Sequence, residues 1–292
     1  MTTWLQYMVT GITMGAIYSL IGLGYVTIYR TSHVVNMAQG SFVMFGAFFG
    51  YSLLDEIGLP FWASIIVSIA AVVIIGVGMY LLVLKRIMKS SLVNMILATV
   101  GLGLLFESLV LLKWGGYSKP TPAFTGDKLL RLGGVHVAAQ SLWVVGLMIA
   151  IFALLYFFGQ RTRVGKQMTA TATNPNAARM YGIATQRMIV LAFVISAAIG
   201  AIGGLAINSV IPLTYQSGAI WGLTGFVAAI LGGWGSSGGA VIGGLALGII
   251  QSIFAGVLPA GWQDAIAFVI LILILYFRPQ GILGTTMSEG EM

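Results

Sequence analysis

The sequence predicts an all-α, polytopic transmembrane helical bundle of about eight to ten spans. Of its 292 residues, 59% are hydrophobic and 7% are charged, whereas an average soluble domain is about 25% charged. The hydrophobic residues form runs of roughly 20, the length that an α-helix needs to cross a bilayer. The 40 glycines favour close helix packing in lipid. These observations predict a single transmembrane domain over residues 1–292.

Nine hydrophobic stretches are predicted to be helical spans. Their ranges are 5–29, 34–53, 61–84, 92–112, 140–159, 188–211, 217–233, 239–257 and 262–277. The second span has a polar, glycine-broken start, with Asn36, Gln39 and Gly40. Residues 232–239 are almost all glycine and serine. They predict either a tight turn or a re-entrant element enclosed by protein.

The positions of lysine and arginine predict that the N-terminus is outside the cell and the C-terminus inside. The loop 160–187 carries no acid and has five basic residues: Arg161, Arg163, Lys166, Arg179 and Arg187. If that loop is cytoplasmic, five more bases fall inside: Arg30, Lys85, Arg86, Lys89 and Arg278. The loop 113–139 is then external. Its prolines and its Gly133-Gly134 pair predict a structured loop rather than a span.

Glycines four residues apart occur along several predicted spans. The pairs are Gly11 and Gly15, Gly46 and Gly50, Gly200 and Gly204, Gly218 and Gly222, Gly239 and Gly243, and Gly244 and Gly248. This spacing places both glycines of a pair on one helix face, where a second helix can approach. The pairs indicate either plain close packing or an interface that moves during transport, and the spacing fits both.

The sequence lacks the residues that most enzymatic chemistry needs. It contains seven acids, two histidines and no cysteine, which predicts no catalytic relay, metal site or cofactor site. The Gly165-Lys166 dipeptide lacks the glycines of a phosphate-binding loop. If ATP drives this protein, a separate subunit must therefore hydrolyse it. The net charge of +7 lies in loops between spans and does not indicate a nucleic-acid partner.

Glu107 is the one acid predicted well within a span. An ionisable group at such depth indicates a functional site. Alternatively, Glu107 lies near the outer interface and pairs with Lys113, about 9 Å further along the helix, or with a base of the outer loop, and this second reading is preferred.

The loop 160–187 is predicted to contain a short helix. Asn174 is suited to cap it, Pro175 to occupy its first position, and Gly182 to end it in the left-handed conformation. Ala177, Ala178, Met180 and Tyr181 give it a small apolar surface. Such a surface fits either lipid headgroups or a groove in a cytoplasmic partner protein.

Three motifs resemble those of the smaller permease of ABC importers in the branched-chain amino acid family. The run from Asn36 to Ser41 resembles N-x-A-(H/Q)-G. Residues 165–183 resemble the coupling loop, G-x-x-x-R-A-x-A-x-N-x-x-A-A-x-x-x-G-I. Residues 278–284 resemble the terminal R-P-x-G-(I/L)-x-G. Thr169 stands where the family usually has arginine, which puts an ion pair with the ATPase at that position in doubt.

The resemblance implies a multi-pass subunit of a bacterial inner membrane. Its partners would be a second permease subunit, two ATP-binding subunits at the cytoplasmic face and an external solute-binding protein. ATPase coupling would fall to Gly165, Asn174, Pro175, Ala178, Arg179 and Gly182. The translocation path would include Asn36, Gln39, Gly40 and Glu107.

Family members also carry urea and short amides, so the motifs leave the solute open. The rival from another class is a stand-alone ion-coupled transporter or channel. Such a protein needs ionisable groups within the membrane, and this chain offers Glu107. An integral-membrane enzyme is disfavoured by the missing clusters of acids, histidines and cysteines.

Overall fold

A computed structural model describes residues 2–88, 90–126, 128–132, 135–259 and 262–284. The first six helices are α1 Thr2–Ser32, α2 Gln39–Tyr51, α3 Phe61–Met79, α4 Lys85–Ile87, α5 Leu92–Trp114 and α6 Ala139–Arg161. The other six are α7 Arg163–Thr173, α8 Pro175–Met180, α9 Thr185–Asn208, α10 Ser217–Gly232, α11 Ser237–Ala255 and α12 Trp262–Phe277. Lys89, Asp127 and the Gly133-Gly134 pair of the predicted outer loop lie outside the described residues.

Apolar helices occupy all nine predicted spans. Among the described residues, six helical segments are long and apolar enough to cross a membrane: Thr3–Ser32, Phe61–Ile87, Leu92–Trp114, Ala139–Arg161, Thr185–Asn208 and Ser237–Ala255. Two further apolar segments, Ser217–Gly232 and Ala265–Phe277, are shorter. The remaining predicted span contains α2, which a π-helical turn at Ser52–Glu56 extends. The predicted all-α membrane bundle is confirmed.

The second span begins later than predicted, at Gln39 rather than residue 34. His33 adopts a φ of 54°, a left-handed conformation that ends a right-handed helix. The next residues form a short non-helical segment in which the Asn36 side-chain oxygen accepts a hydrogen bond of 3.2 Å from the Ala38 amide. This hydrogen bond forms an Asx-type turn, which separates α1 from α2.

Glycine contacts bring the principal helices together. A Cβ atom added to Gly15 of α1 would lie 2.6 Å from the Cα atom of Leu245 in α11. One added to Gly46 of α2 would lie 2.6 Å from the Cα atom of Ala201 in α9. Real Cβ atoms do not approach so closely, so these helices cross at a distance that only glycine permits. The four-residue spacing therefore predicted real helix contacts.

α1 lies at the centre of the bundle and is the most buried of the six long apolar helices. It packs against α6, α9, α10 and α11, and most of its buried hydrophobic side chains belong to one cluster with those of α10 and α11. A second cluster joins α2 to α3, α5 and α9. The site described below lies where α2, α5 and α10 meet.

A tight turn, rather than a re-entrant element, joins α10 to α11. α10 ends at Gly232 and α11 begins at Ser237. Gly233 and Gly235 have φ values of 115° and 86°, and the Ser236 side chain caps α11 by accepting a bond of 3.0 Å from the Gly239 amide. Positive φ values of this kind favour glycine.

The terminal motif at residues 278–284 closes the end of α10. The amides of Ile282 and Leu283 donate hydrogen bonds of 2.9 and 2.8 Å to the carbonyl oxygens of Leu231 and Gly232. The last carbonyls of a helix have no partner within the helix, so this segment supplies donors to two of them. We call residues 278–284 the terminal clasp.

The predicted outer loop is structured. β1 (Leu129–Leu132) and β2 (Val135–Ala138) pair antiparallel, with Leu129 opposite Ala138. Before them, the Lys119 carbonyl accepts a hydrogen bond of 2.7 Å from Asn208 at the end of α9. The Phe124 amide donates one of 3.0 Å to Gln140 at the start of α6. These bonds fix the loop to one end of the bundle.

Candidate functional site

Two short helices begin against each other inside the bundle. α2 starts at Gln39 and α10 starts at Ser217. A Cβ atom added to Gly40 would lie 2.6 Å from the Cα atom of Gly222, so the first turns of the two helices touch. The first amides of an α-helix have no partner within it, which makes this junction polar although apolar helices surround it.

Glu107 of α5 supplies one acceptor at the junction. Its Oε1 atom accepts a hydrogen bond of 2.8 Å from the Ala219 amide, which belongs to the first turn of α10. A carboxylate is favourable at this position because the N-terminus of a helix carries partial positive charge. Glu107 is half-buried. The sequence singled out this acid but not its hydrogen-bond partner.

The predicted pairing of Glu107 with Lys113 is absent from this arrangement. The Nζ atom of Lys113 lies 4.3 Å from the centre of the Trp114 ring, in a cation–π contact. Glu107 is therefore directed toward α10 rather than toward the outer loop.

A cavity of about 180 Å³ adjoins Glu107 and opens at the surface of the chain. Among the described residues that line it, Glu107 is the one charged side chain. The other lining residues are Tyr25, Met37, Ser41, Val100, Gly103, Leu104, Gly218, Ala219 and Leu223. The arrangement combines one carboxylate and two hydroxyls with apolar walls, which is the usual make-up of a small-molecule pocket.

Two of the predicted path residues meet at this site and two do not. Gly40 and Glu107 both adjoin Gly218. Gln39 is fully buried and is turned toward α9, where its Nε2 atom donates a bond of 3.2 Å to the Ser196 carbonyl. Asn36 is buried and does not line the cavity, and its Nδ2 atom has no hydrogen-bond partner among the described residues.

Residues that the sequence did not single out complete the cavity. Ser41 and Tyr25 bring hydroxyl groups, and Val100, Leu104 and Leu223 bring apolar walls. The signal that could have placed the start of α10 at the cavity was Gln216-Ser217-Gly218, a glutamine followed two residues later by glycine. The same order, a glutamine followed by glycine, opens α2 at Gln39.

The loop between α6 and α9 contains two helices. The predicted short helix is present as α8, Pro175–Met180. The Asn174 side-chain oxygen accepts bonds of 3.0 Å from the amides of Asn176 and Ala177, and Gly182 has a φ of 78°. The cap, the initial proline and the terminal glycine thus have the predicted geometry. The preceding helix, α7, was missed because its threonines and basic residues gave no apolar run.

Only part of the apolar surface predicted for α8 is exposed. Ala178 is 4% exposed and packs inward, whereas Met180 and Tyr181 are each 88% exposed. The Nε atom of Arg179 donates a bond of 3.0 Å to the Thr185 hydroxyl at the start of α9. Consequently the exposed tip is Met180-Tyr181, and Ala178 and Arg179 attach it to the bundle.

Gly165 has a packing role in α7. A Cβ atom added there would lie 2.7 Å from the Cα atom of Gly159 in α6. The two helices therefore make a close turn, and the Thr162 side chain caps α7 by accepting a bond of 3.0 Å from the Gly165 amide.

The fold and cavity define a class, that of multi-pass membrane permeases. In the part of the chain that the structure describes, apolar helices long enough to cross a membrane pack around a small open pocket with one carboxylate, and a loop presents an exposed apolar tip. Residues 7–275 match the model of a family described as "Branched-chain amino acid transport system / permease component". The chain belongs to this family, and it is a multi-pass inner-membrane protein.

Curated relatives extend over nearly the whole chain. The high-affinity branched-chain amino acid transport system permease protein BraD of Pseudomonas aeruginosa is 29% identical over 98% of this chain and 97% of its own. LivH of Escherichia coli K12 is 28% identical over 98% and 97%. A probable branched-chain amino acid transport permease, LivH of Methanocaldococcus jannaschii, is 27% identical over 92% and 89%. These relatives are described as transport permeases rather than as enzymes.

Proposed function

We propose that this chain is the membrane-spanning permease of an ABC importer, driven by two separate ATP-binding subunits that dock on α8. A second permease subunit completes the translocation path, and an external binding protein delivers the solute. The observation that carries this proposal is the exposed Met180-Tyr181 tip, held on a capped helix at the end of a basic loop.

The tip is suited to protein docking because it is both apolar and prepositioned. Large apolar side chains that are 88% exposed gain free energy when a groove covers them. Asn174 and Pro175 fix the helix before any partner binds, which lowers the entropy lost on association. Six residues of helix fit a groove in a neighbouring protein.

The attachment of α8 offers a route for motion. The bond between Arg179 and Thr185 joins α8 to α9. Further along α9, the Ser196 hydroxyl lies within hydrogen-bonding distance of both the Gly24 carbonyl, at 2.8 Å, and the Gln39 side chain, at 2.7 Å. Displacement of α8 by the ATPases would therefore reach α1 and α2, including Gly40, which packs against the cavity-lining Gly218. In this proposal the Gln39 side chain is the contact through which α9 moves α2.

The proposed solute is a branched-chain amino acid or a similar small polar molecule. Support comes from the relatives, which are described as branched-chain amino acid permeases, and from the apolar walls of the cavity. Urea and short amides are the alternative within the same architecture. The rival from another class is an ion-coupled transporter, which Glu107 alone favours and which predicts uptake without ATP.

Docking is tested by replacing both Met180 and Tyr181 with glutamate. The variant should insert normally, because both side chains are exposed, and should lose co-purification with the ATP-binding subunits and ATP-driven uptake into proteoliposomes. Tyr117→Glu is the matched control, since Tyr117 is 87% exposed in the loop at the other end of α6. Normal ATPase binding by the double variant, or concentrative uptake by the chain alone, would refute the proposal.

A further inference from the structure

Glu107 is an ionisable group within a transmembrane helix, and few groups nearby can stabilise its charged form. The Ala219 amide satisfies Oε1 with one hydrogen bond. None of the other described residues that line the cavity carries a charge. A carboxylate inside a membrane is costly, and such groups are typically retained where they bind a substrate or an ion.

The rest of the cavity restricts what can neutralise this carboxylate. Val100, Leu104 and Leu223 form apolar walls, and Ser41 and Tyr25 contribute neutral hydroxyls. A volume of about 180 Å³ is that of a small organic molecule, since an engineered cavity of roughly 150 Å³ holds benzene. A small hydrated metal ion would leave the apolar walls without a function.

We propose that Glu107 binds the ammonium group of an α-amino acid as it passes through the permease. The apolar walls receive an aliphatic side chain, and the hydroxyls of Ser41 and Tyr25 donate hydrogen bonds to the solute carboxylate. This assignment rests on the proposed transport function and narrows its substrate class. It favours zwitterionic amino acids over urea and neutral amides, which carry no cation for Glu107.

The Glu107→Gln variant separates this role from a structural one. Glutamine has the same shape and retains an oxygen that can accept the Ala219 bond. The start of α10 therefore stays capped, and only the charge is removed. Glu107→Asp keeps the charge on a shorter side chain.

Binding can be followed directly because the chain contains no cysteine. Leu104→Cys places a single thiol in the cavity wall, where the native side chain is 60% exposed. Its maleimide labelling is measured in the complete transporter with L-leucine, leucinamide, 4-methylpentanoate or urea present. Leu154→Cys is the control, because Leu154 is 65% exposed on α6 and does not line the cavity.

Leucine and leucinamide, which carry an ammonium group, should slow labelling at position 104, whereas 4-methylpentanoate and urea should not. Glu107→Gln should remove the protection and lower ATP-driven leucine uptake by about tenfold, the loss of one charged hydrogen bond. Glu107→Asp should keep much of the protection from labelling and much of the leucine uptake.

Three results would overturn the assignment. These are protection by 4-methylpentanoate equal to that by leucinamide, protection that survives Glu107→Gln, and failure of the Gln variant to assemble with the second permease. The last would place Glu107 in a subunit ion pair. Failure of the proposed function is a separate result, since it appears as absent ATPase binding or absent uptake in the wild-type protein, whatever the labelling shows.

Discussion

The ring Nε2 atom of His33 lies 3.0 Å from the carbonyl oxygen of Ala172. The carbonyl can only accept, so the ring nitrogen donates. His33 sits at the break between α1 and α2 with a φ of 54°, and Ala172 lies in the last turn of α7. One hydrogen bond thus joins the end of α7, just before α8, to the segment that leads into Gly40 and α2.

Replacing His33 should loosen α7 without unfolding the bundle. His33→Ala loses the hydrogen bond and keeps a strained left-handed residue, at a cost of about 1–2 kcal/mol. His33→Asn should be milder, because asparagine tolerates this conformation and can donate. Limited trypsin digestion at Arg163 and Lys166 measures the effect, and cleavage should be faster in the Ala variant than in the Asn variant. Equal cleavage in both would show that the His33 bond does not hold α7.

Enlarging Gly15 should force α1 and α11 apart. The closest atom to an added Cβ is backbone, the Leu245 Cα atom at 2.6 Å, and backbone cannot rotate away. Gly15→Leu should cost about 1–3 kcal/mol, as overpacking does. Gly146→Ala is the control, because nothing lies within 4 Å of a Cβ there. Melting temperatures in detergent compare the two variants, and the prediction fails if both melt alike.

Local rules predicted several parts of this fold correctly. The geometry of Asn174, Pro175 and Gly182 depends on residues a few positions apart, so their order along the chain was sufficient. The spacing of Gly11 and Gly15 likewise identified a helix face. Such features need no knowledge of the neighbouring helix.

Long-range partners could not be read from the chain. Glu107 meets Ala219 across more than a hundred residues, whereas the nearest base in sequence, Lys113, was the natural but wrong choice. Asn208 of α9 holds the loop 113–139 by donating a hydrogen bond to the Lys119 carbonyl. Each polar side chain has many possible partners, and only the packed bundle selects one.

Removing the terminal clasp should destabilise the end of α10. A chain that stops after Phe277 lacks the amides of Ile282 and Leu283, leaving the Leu231 and Gly232 carbonyls without those donors. Two lost hydrogen bonds predict a cost of about 1–3 kcal/mol. A chain that stops after Gly284 keeps the clasp and serves as the control. Hydrogen exchange in the last turn of α10 should rise in the shorter chain alone; unchanged exchange would show that the clasp is dispensable.

Docking and transmission should be separable at α8. Thr185→Val removes the hydroxyl that accepts the Arg179 bond but leaves the exposed Met180-Tyr181 tip unchanged. ATPase subunits should therefore still co-purify, while uptake per ATP hydrolysed falls by roughly threefold, the effect of losing a bond of about 0.5–1 kcal/mol. Arg179→Glu should lose both the co-purification of the ATPase subunits and the coupled uptake, because it reverses a charge beside the tip as well as breaking the bond. Gln186→Ala, an exposed neighbour of Thr185, should change neither quantity. Uptake per ATP equal to that of the wild type in Thr185→Val would mean that α8 moves α9 through a contact other than the Arg179 bond. This follows because valine keeps the shape of threonine and lacks only the hydroxyl that accepts the bond.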